Sequence, residues 1–342
     1  MKLGSLCDGI GGWQLAAVRN GIAPLWSSEI DKFCLAVTAR HFPKTLQLGD
    51  INQIETAPYV DIITAGTPCQ SFSVAGRREG LKGASGLFFK AIELVRRINT
   101  EFFIWENVPG ALSSNGRLDF KTVLEEILKE PVPLPRHWSN AGLVDGRNAQ
   151  VAWRMLDAQY WGVPQRRKRI FLVADFRARR AGEILFERES VCGNPAASES
   201  QKRDATARTG NRTACAIYDP THTNEVLRNV SGDKANCLAA RMGTGGHQVQ
   251  LVAYGIDRAA FNQGCNAQFT EELQMTLTAR SAAAIGYNVI RRLTPTECER
   301  LQGLPDGWTA CGSDTARYKA IGNGMAQPIA DWILKRIVER SD

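Results

Sequence analysis

A cysteine and a glutamate stand where reactive side chains are most easily presented. In Gly66-Thr67-Pro68-Cys69-Gln70-Ser71-Phe72-Ser73 the thiol follows the apolar run 60–65, at the end of a predicted strand. On usage alone a cysteine is a small core residue. Here the preceding proline fixes the backbone, and Gly76, Gly80, Gly83 and Gly86 follow in a segment suited to act as a lid over a nucleophile. Arg77, Arg78 and Lys82 on that segment are placed to reach phosphates. In Phe102-Phe103-Ile104-Trp105-Glu106-Asn107-Val108-Pro109 a carboxylate sits at the tip of a strongly apolar strand, where desolvation raises its proton affinity as an acid catalyst requires. A thiolate and an acid on neighbouring strand ends suit addition to an electron-poor ring.

A second constellation reads as a binding loop. Cys7-Asp8-Gly9-Ile10-Gly11-Gly12 lies between a first predicted strand and a helix, and its glycines let the backbone turn tightly against a ligand. Glu29 and Asp31 follow the next strand about 20 residues on, where an acid can hold ribose hydroxyls, and Asp50 adds a third acid at a strand end. A dinucleotide loop would carry a third glycine where this chain has Gln14, and a triphosphate loop would carry Gly-Lys-Ser/Thr. S-adenosyl-L-methionine, with ribose and adenine but no phosphate, fits an acid-lined loop better than either.

The elements that must position these groups alternate. Strands at 3–6, 23–26, 60–65 and 102–105 are separated by helical patterns at 15–18, 33–39 and 87–98. That rhythm predicts an α/β fold with a Rossmann-like doubly wound sheet and ligands at the carboxyl ends of its strands. Three prolines at 131–135 interrupt the pattern, and 152–156 and 170–174 read as a late pair of strands around a turn. Beyond Phe176 the composition shifts to Arg, Ser, Thr, Asn and Gly, which predicts a smaller irregular domain over 176–290. Leu238-Ala239-Ala240-Arg241 and Leu277-Thr278-Ala279-Arg280 are alike, a match too short to establish a duplication. From Thr294 the pattern is helical again, opened by the cap Thr294-Pro295-Thr296-Glu297, so 291–342 is expected to complete the 1–175 catalytic domain.

Composition narrows the partners. The net charge of +7 favours a polyanion. Nine cysteines without a CxxC pair, and four histidines none of which stands at ligand spacing from a cysteine, argue against a disulfide framework and against a metal. No run approaches the roughly 18 apolar residues of a spanning helix, and the first residues do not read as a signal peptide. A reduced cytoplasmic location is expected.

Taken in order, these stretches resemble the bacterial and phage cytosine-5 DNA methyltransferases. Gly9-Ile10-Gly11-Gly12 is similar to the family's cofactor loop, Glu29 to its ribose acid, Asp50 to its adenine-facing acid, Pro68-Cys69-Gln70 to its nucleophile motif and Glu106-Asn107-Val108 to its acid motif. Gln165-Arg166-Arg167-Lys168-Arg169 resembles Gln-x-Arg-x-Arg, 291–297 the segment that supports the recognition domain, and Gly322-Asn323-Gly324 the last cofactor motif. The resemblance covers about 1–175 and 290–342. Cys7 stands where the family usually has phenylalanine and Ile30 where it often has tryptophan, both against the adenine.

The resemblance implies a cytosine swung out of duplex DNA, attacked at carbon 6 by Cys69 while Glu106 holds N3 and the amino group, and methylated at carbon 5. Arg169 and Arg167 would steady the cytosine carbonyl and a flanking phosphate. It further implies cofactor contacts from Asp8, Ile10, Ile30, Ile51, Pro68, Leu87, Asn323, Gly324 and Met325, and DNA contacts from Gln70, Ser73, Arg77, Arg78, Lys82, Arg241 and Arg280. The implied protein is a monomer, solitary and phage-borne or paired with a cognate restriction endonuclease. Two other readings share features of the chain. An RNA substrate fits the same motifs, although the long middle segment suits a DNA recognition domain better. A catalytically silent DNA-binding regulator is disfavoured by the intact Cys69 and Glu106.

Overall fold

A computed structural model describes residues 1–67, 85–186, 216–219, 228–229, 251–253 and 290–341. The chain divides into two compact units. Met1–Trp161, Arg167–Ala196 and Gly324–Asp342 form the first, Gly162–Arg166 and Ala197–Asn323 the second.

The first unit is built on an eight-stranded sheet. β1 (Lys2–Leu6), α1 (Gly12–Arg19), β2 (Ala23–Ser28), α2 (Lys32–His41) and β3 (Leu46–Gln47) run outward to one edge. The chain then returns to the other side of β1 with β4 (Ile62–Ala65), α3 (Ser85–Ile98) and β5 (Phe102–Asn107). α4 (Leu118–Leu128) and β6 (Ala141–Asp145), β7 (Gln150–Asp157) and β8 (Lys168–Asp175) follow, with α5 (Ala181–Leu185) after them. The strand order is β3-β2-β1-β4-β5-β8-β7-β6. β3 to β5 pair in parallel, whereas β8, β7 and β6 add on antiparallel. The sheet is therefore mixed, and the order reverses between β1 and β4, which makes the carboxyl ends of those two strands the expected ligand crevice.

In the second unit β9 (Ala216–Asp219), β10 (Arg228–Asn229), β11 (Leu251–Ala253) and β12 (Ile290–Arg292) form a four-stranded sheet in the order β10-β9-β11-β12, all antiparallel. α6 (Pro295–Gln302) and α7 (Asp314–Asn323) follow. The expected cap is present: Thr294 Oγ1 accepts from the Glu297 N–H at 3.3 Å while Glu297 Oε2 accepts from the Thr294 N–H at 2.8 Å. Glu299, fully buried on α6, accepts from the N–H groups of Gly307 and Thr309, each at 2.8 Å, and pairs with Arg317 of α7 at 3.1 Å. That one carboxylate ties the two helices and the turn between them.

Gly324 returns the chain to the first unit, where α8 (Gln327–Ser341) packs on α1. Alternation along the central strands sends one set of side chains to each face of the sheet. Leu6, Ile63, Ala65, Phe103, Trp105, Leu172 and Ala174 meet α3 and α4 in one continuous core. Its centre is aromatic, with Phe88 edge-on to Trp105 at 5.7 Å and Phe120 edge-on to Trp153 at 5.4 Å. On the side of α1 and α8, Gln327 Nε2 donates to the Gly12 carbonyl at 3.0 Å and Arg19 pairs with Asp331 at 2.7 Å.

β6 escapes the sequence reading, and β3 is anticipated only through the strand end at Asp50, for physical reasons. β3 has two residues, and β6 is an edge strand whose Gly142 leaves room for the Trp153 ring lying over it. The same device holds β1 against β2. A Cβ built on Gly4 would fall 2.2 Å from the fully buried ring of Trp26. Gly4→Ala is therefore expected to lower stability by about 1–3 kcal/mol, read as a shift of the urea midpoint, and an unchanged midpoint would mean that the ring has somewhere to go.

Candidate active site

The reversal between β1 and β4 gathers five strand ends, and each carries a polar group. After β1 the backbone curls through left-handed conformations at Cys7 (φ 52°), Gly9 (φ 58°) and Gly11 (φ 80°). Gly11 needs its missing side chain, since a Cβ there would lie 2.8 Å from the Phe42 ring. Among the described residues nothing stands within 4 Å of a Cβ built on Gly9, so they leave the loop open on that side.

Glu29, after β2, ties this loop down. It accepts from the N–H groups of Gly9 at 2.8 Å, Ile30 at 2.7 Å and Asp31 at 2.9 Å. Three of its roughly four acceptor positions are thereby used, which leaves room for one further donor such as a ribose hydroxyl. Asp31 caps α2 through the N–H groups of Phe33 and Cys34. Asp50, after β3, caps the short turn Ile51–Gln53 and accepts from Asn52. Ile30 is 71 % exposed beside Glu29 and offers an apolar surface, while Ile51 is buried in the core and Leu87 is half-buried against it. The Met325 side chain and Gln327 lie against Gly12.

Asp8 is the unusual member. It is 7 % exposed, and it accepts from Gln14 Nε2 at 2.6 Å through one oxygen while Oδ1 meets no donor among the described residues. Burial, opposed by the nearby Ser5 hydroxyl and by the Gln14 hydrogen bond, pushes its pKa up to about 7. Burial and then Glu29, Asp8 and Asp50 push the Cys7 thiol up to about 12, so these three acids act on one spot. Reading Gln14 only as a missing glycine overlooked its part. The available signal was a polar residue beside the apolar run Leu15-Ala16-Ala17-Val18.

β4 and β5 are locked together at their carboxyl ends. Trp105 Nε1 donates to Thr67 Oγ1 at 2.9 Å and Asn107 Nδ2 donates to the Thr67 carbonyl at 3.2 Å. Glu106 lies between those two residues and so points to the opposite face. There its Oε1 pairs with Arg169 Nε at 3.1 Å, both side chains being largely but not fully covered. Burial raises the Glu106 pKa, and Arg169 and Arg167 oppose that rise. Arg167 is 1 % exposed, and its guanidinium donates to the Gly324 carbonyl. Pro68, Cys69, Gln70, Ser73, Arg77, Arg78, Lys82, Arg241 and Arg280 lie outside the described residues, and Asn323 ends α7 in the second unit.

A doubly wound sheet with an acid-lined glycine loop at its reversal defines a nucleotide-type cofactor enzyme. The residues suit S-adenosyl-L-methionine: an open left-handed loop, an acceptor position left on Glu29, a buried acid with an oxygen that meets no donor among the described residues, and no phosphate-binding lysine in the loop. The chain belongs to the C-5 cytosine-specific DNA methylases, whose family model matches residues 1–339. These enzymes methylate cytosine in DNA with S-adenosyl-L-methionine as donor.

Among relatives, the type II methyltransferase M.HpaII of Haemophilus parainfluenzae is 28% identical over 98% of this chain and 88% of its own length. M1.ScrFI of Lactococcus lactis is 27% identical over 99% of this chain and 78% of its length. A protein of Escherichia phage P1 named DNA N-6-adenine-methyltransferase is 30% identical over 98% of this chain, which spans only 61% of that protein. That name describes a protein substantially longer than this chain. Solved structures of DNMT2 from Spodoptera frugiperda (TM-score 0.65, 17% identity, 98% of this chain and 99% of that one) and Dnmt2 from S. pombe (TM-score 0.64, 16% identity, 100% and 99%) share the fold.

The buried acid gives a stability test. With a folded pKa near 7 against an ordinary 3.8, the folded chain keeps a proton that the unfolded chain gives up between those values, so this group's contribution to stability falls as pH rises through that window. Asp8→Asn keeps an acceptor for Gln14 and removes the titration. The variant should gain on the wild type by roughly 2 kcal/mol between pH 5 and pH 8, measured as the difference of urea-unfolding free energies. A gain that does not vary with pH would show that Asp8 is ionised throughout.

Proposed function

We propose that this chain methylates carbon 5 of a cytosine flipped out of a specific duplex DNA sequence, through a covalent adduct with Cys69. The observation that carries the reading is the double hydrogen bond from Trp105 and Asn107 to Thr67. Thr67 is two residues before Cys69, so the tether fixes the base of the nucleophile segment against the strand that bears Glu106. Register supports this, since Ala65 of β4 pairs with Trp105 of β5.

In the proposed cycle the Cys69 thiolate adds to carbon 6 of the ring. Glu106, protonated at the moment of attack, donates to N3 and draws the developing charge onto the ring. Burial favours that protonated form, and Arg169 beside it limits the rise so that the proton remains transferable. Bound S-adenosyl-L-methionine supplies an electrophilic methyl group. Once carbon 5 is methylated, loss of its proton and expulsion of Cys69 restore the aromatic ring.

Arg169 both orients Glu106 and is exposed enough to reach a base carbonyl. Arg167, buried against the Gly324 carbonyl, holds the C-terminal return in register with β8 and acts on Glu106 through its charge. Residues 176–290 are proposed to read the DNA sequence, with Arg241 and Arg280 as contacts there and Gln70, Ser73, Arg77, Arg78 and Lys82 as contacts from the nucleophile segment. The type II names of the relatives support a restriction-modification setting with a cognate endonuclease, and the phage P1 relative supports a phage-borne one. We infer a cytoplasmic monomer; among the described residues no helix is long and apolar enough to cross a membrane.

Transfer of labelled methyl groups to duplex DNA containing the target cytosine should vanish in Cys69→Ser while cofactor binding persists, and full activity in that variant would sink the assignment. Glu106→Gln should lower kcat by about 10²–10⁴-fold with little change in cofactor affinity, since the amide donates a hydrogen bond but cannot transfer a proton. Loss of cofactor binding in parallel would instead make Glu106 part of the cofactor site.

A further inference from the structure

One acid of the glycine loop, Asp8, takes no part in the cycle above and is placed unlike its acidic neighbours. Asp8 lies in the curled loop after β1, its amide donates to the Ser28 carbonyl at 3.1 Å, and its side chain is turned inward to Gln14. The acceptor count there is out of balance. Oδ1 of Asp8 and Oε1 of Gln14 are buried without a donor among the described residues, and so is Oε1 of Gln327, which lies against Gly12. A buried carboxylate short of donors is costly unless a positive charge comes close.

The charged neighbours sharpen this. Gln14 on α1 hydrogen-bonds to Asp8, the Ser5 hydroxyl on β1 lowers its proton affinity, and Glu29 at the end of β2 repels it. Asp50, beyond β3, joins Glu29 and Asp8 in acting on Cys7. On α1 and α8, Arg19 and Asp331 are paired with each other. The cations near β8, Arg167 and Arg169, act on Glu106, and neither contributes to the balance at Asp8. Among the described residues the loop therefore presents a negative field with no cation of its own.

We propose that Asp8 is a positioning residue that senses the charge of the cofactor, its ionised carboxylate favouring the sulfonium form over the thioether product. S-adenosyl-L-methionine carries a fixed positive charge on sulfur, and S-adenosyl-L-homocysteine, left after transfer, does not. The sulfonium form draws Asp8 into its carboxylate form and a proton leaves to solvent; the thioether has no such pull, and Asp8 holds its proton. Because the apo carboxyl titrates near neutrality, a modest charge suffices to switch it. The effect is a pH-dependent preference for substrate cofactor over spent cofactor, in a site whose other acids, Glu29, Asp31 and Asp50, are engaged with backbone N–H groups.

The inference rests on the cofactor reading, and calorimetry on the full-length protein separates the two. Titrations with each cofactor form, in buffers of differing ionisation enthalpy between pH 5.5 and 7, count the protons released while the ligand's own amine, with a pKa near 7.7–8.0, stays mainly protonated. S-adenosyl-L-methionine should release about half a proton near pH 6.5 and bind at least about threefold more tightly at pH 7 than at pH 5.5, with S-adenosyl-L-homocysteine showing neither effect. Asp8→Asn should abolish both. Gln14→Leu removes a hydrogen bond that lowers the Asp8 pKa, so it should move the release to higher pH and serves as the second variant if Asp8→Asn fails to fold. Equal release with both ligands, no release, or release that survives Asp8→Asn overturns the charge coupling alone. Failure of both ligands to bind overturns the cofactor reading with it.

Discussion

The two hydrogen bonds that Thr67 receives from Trp105 and Asn107 set the geometry on which the rest of the site depends. Both donors are side chains of one strand and both acceptors belong to a single residue at the exit of its neighbour. The Trp105 ring is fully buried among Phe88 and Phe120, so its N–H has a fixed direction and no water to turn to. The aromatic core beneath the sheet is thus coupled to the active site above it: displacing that packing displaces the end of β4. Glu106, held between the two tethering residues, comes to the opposite face with its position already determined.

Electrostatics divides the site into two regions of opposite character. Around Glu106 the neighbours are cationic, and Arg169 and Arg167 offset the burial that raises its pKa. Around Asp8 and Cys7 the neighbours are acidic, and among the described residues no cation opposes the same burial. A methyl donor with a positive sulfur suits the acidic region, and a ring that gathers negative charge suits the cationic one. The strand order brings the two regions together, because β1 and β4 are adjacent at the reversal and β5 is next to β4.

The C-terminal return completes this arrangement. Gln327 bonds to the Gly12 carbonyl, Met325 lies against Gly12, and the Gly324 carbonyl takes the Arg167 guanidinium. Residues more than 300 positions apart thereby share the support of one short loop. Arg167 is consequently part of the scaffold, and its neighbour Arg169, two residues on along β8, is less deeply covered.

Much of the site was legible in the sequence, for reasons that can be named. Strand ends were marked by apolar runs that stop at Gly, Asp or Glu, and the glycines of 9–12 announced a turn that larger residues could not make. Order along the chain then sufficed to identify the family. What the sequence could not determine were relations set by packing between distant residues. The fourth oxygen position of Glu29, the burial of Asp8 against Gln14, the antiparallel addition of β8, β7 and β6, and the tether on Thr67 depend on which strands become neighbours. A pairing of that kind is fixed by the folded core and has no local signature. The sequence determined which groups were available for chemistry, and the tertiary structure decided which were left partnerless, because desolvation and hydrogen-bond satisfaction exist only once the surroundings are in place.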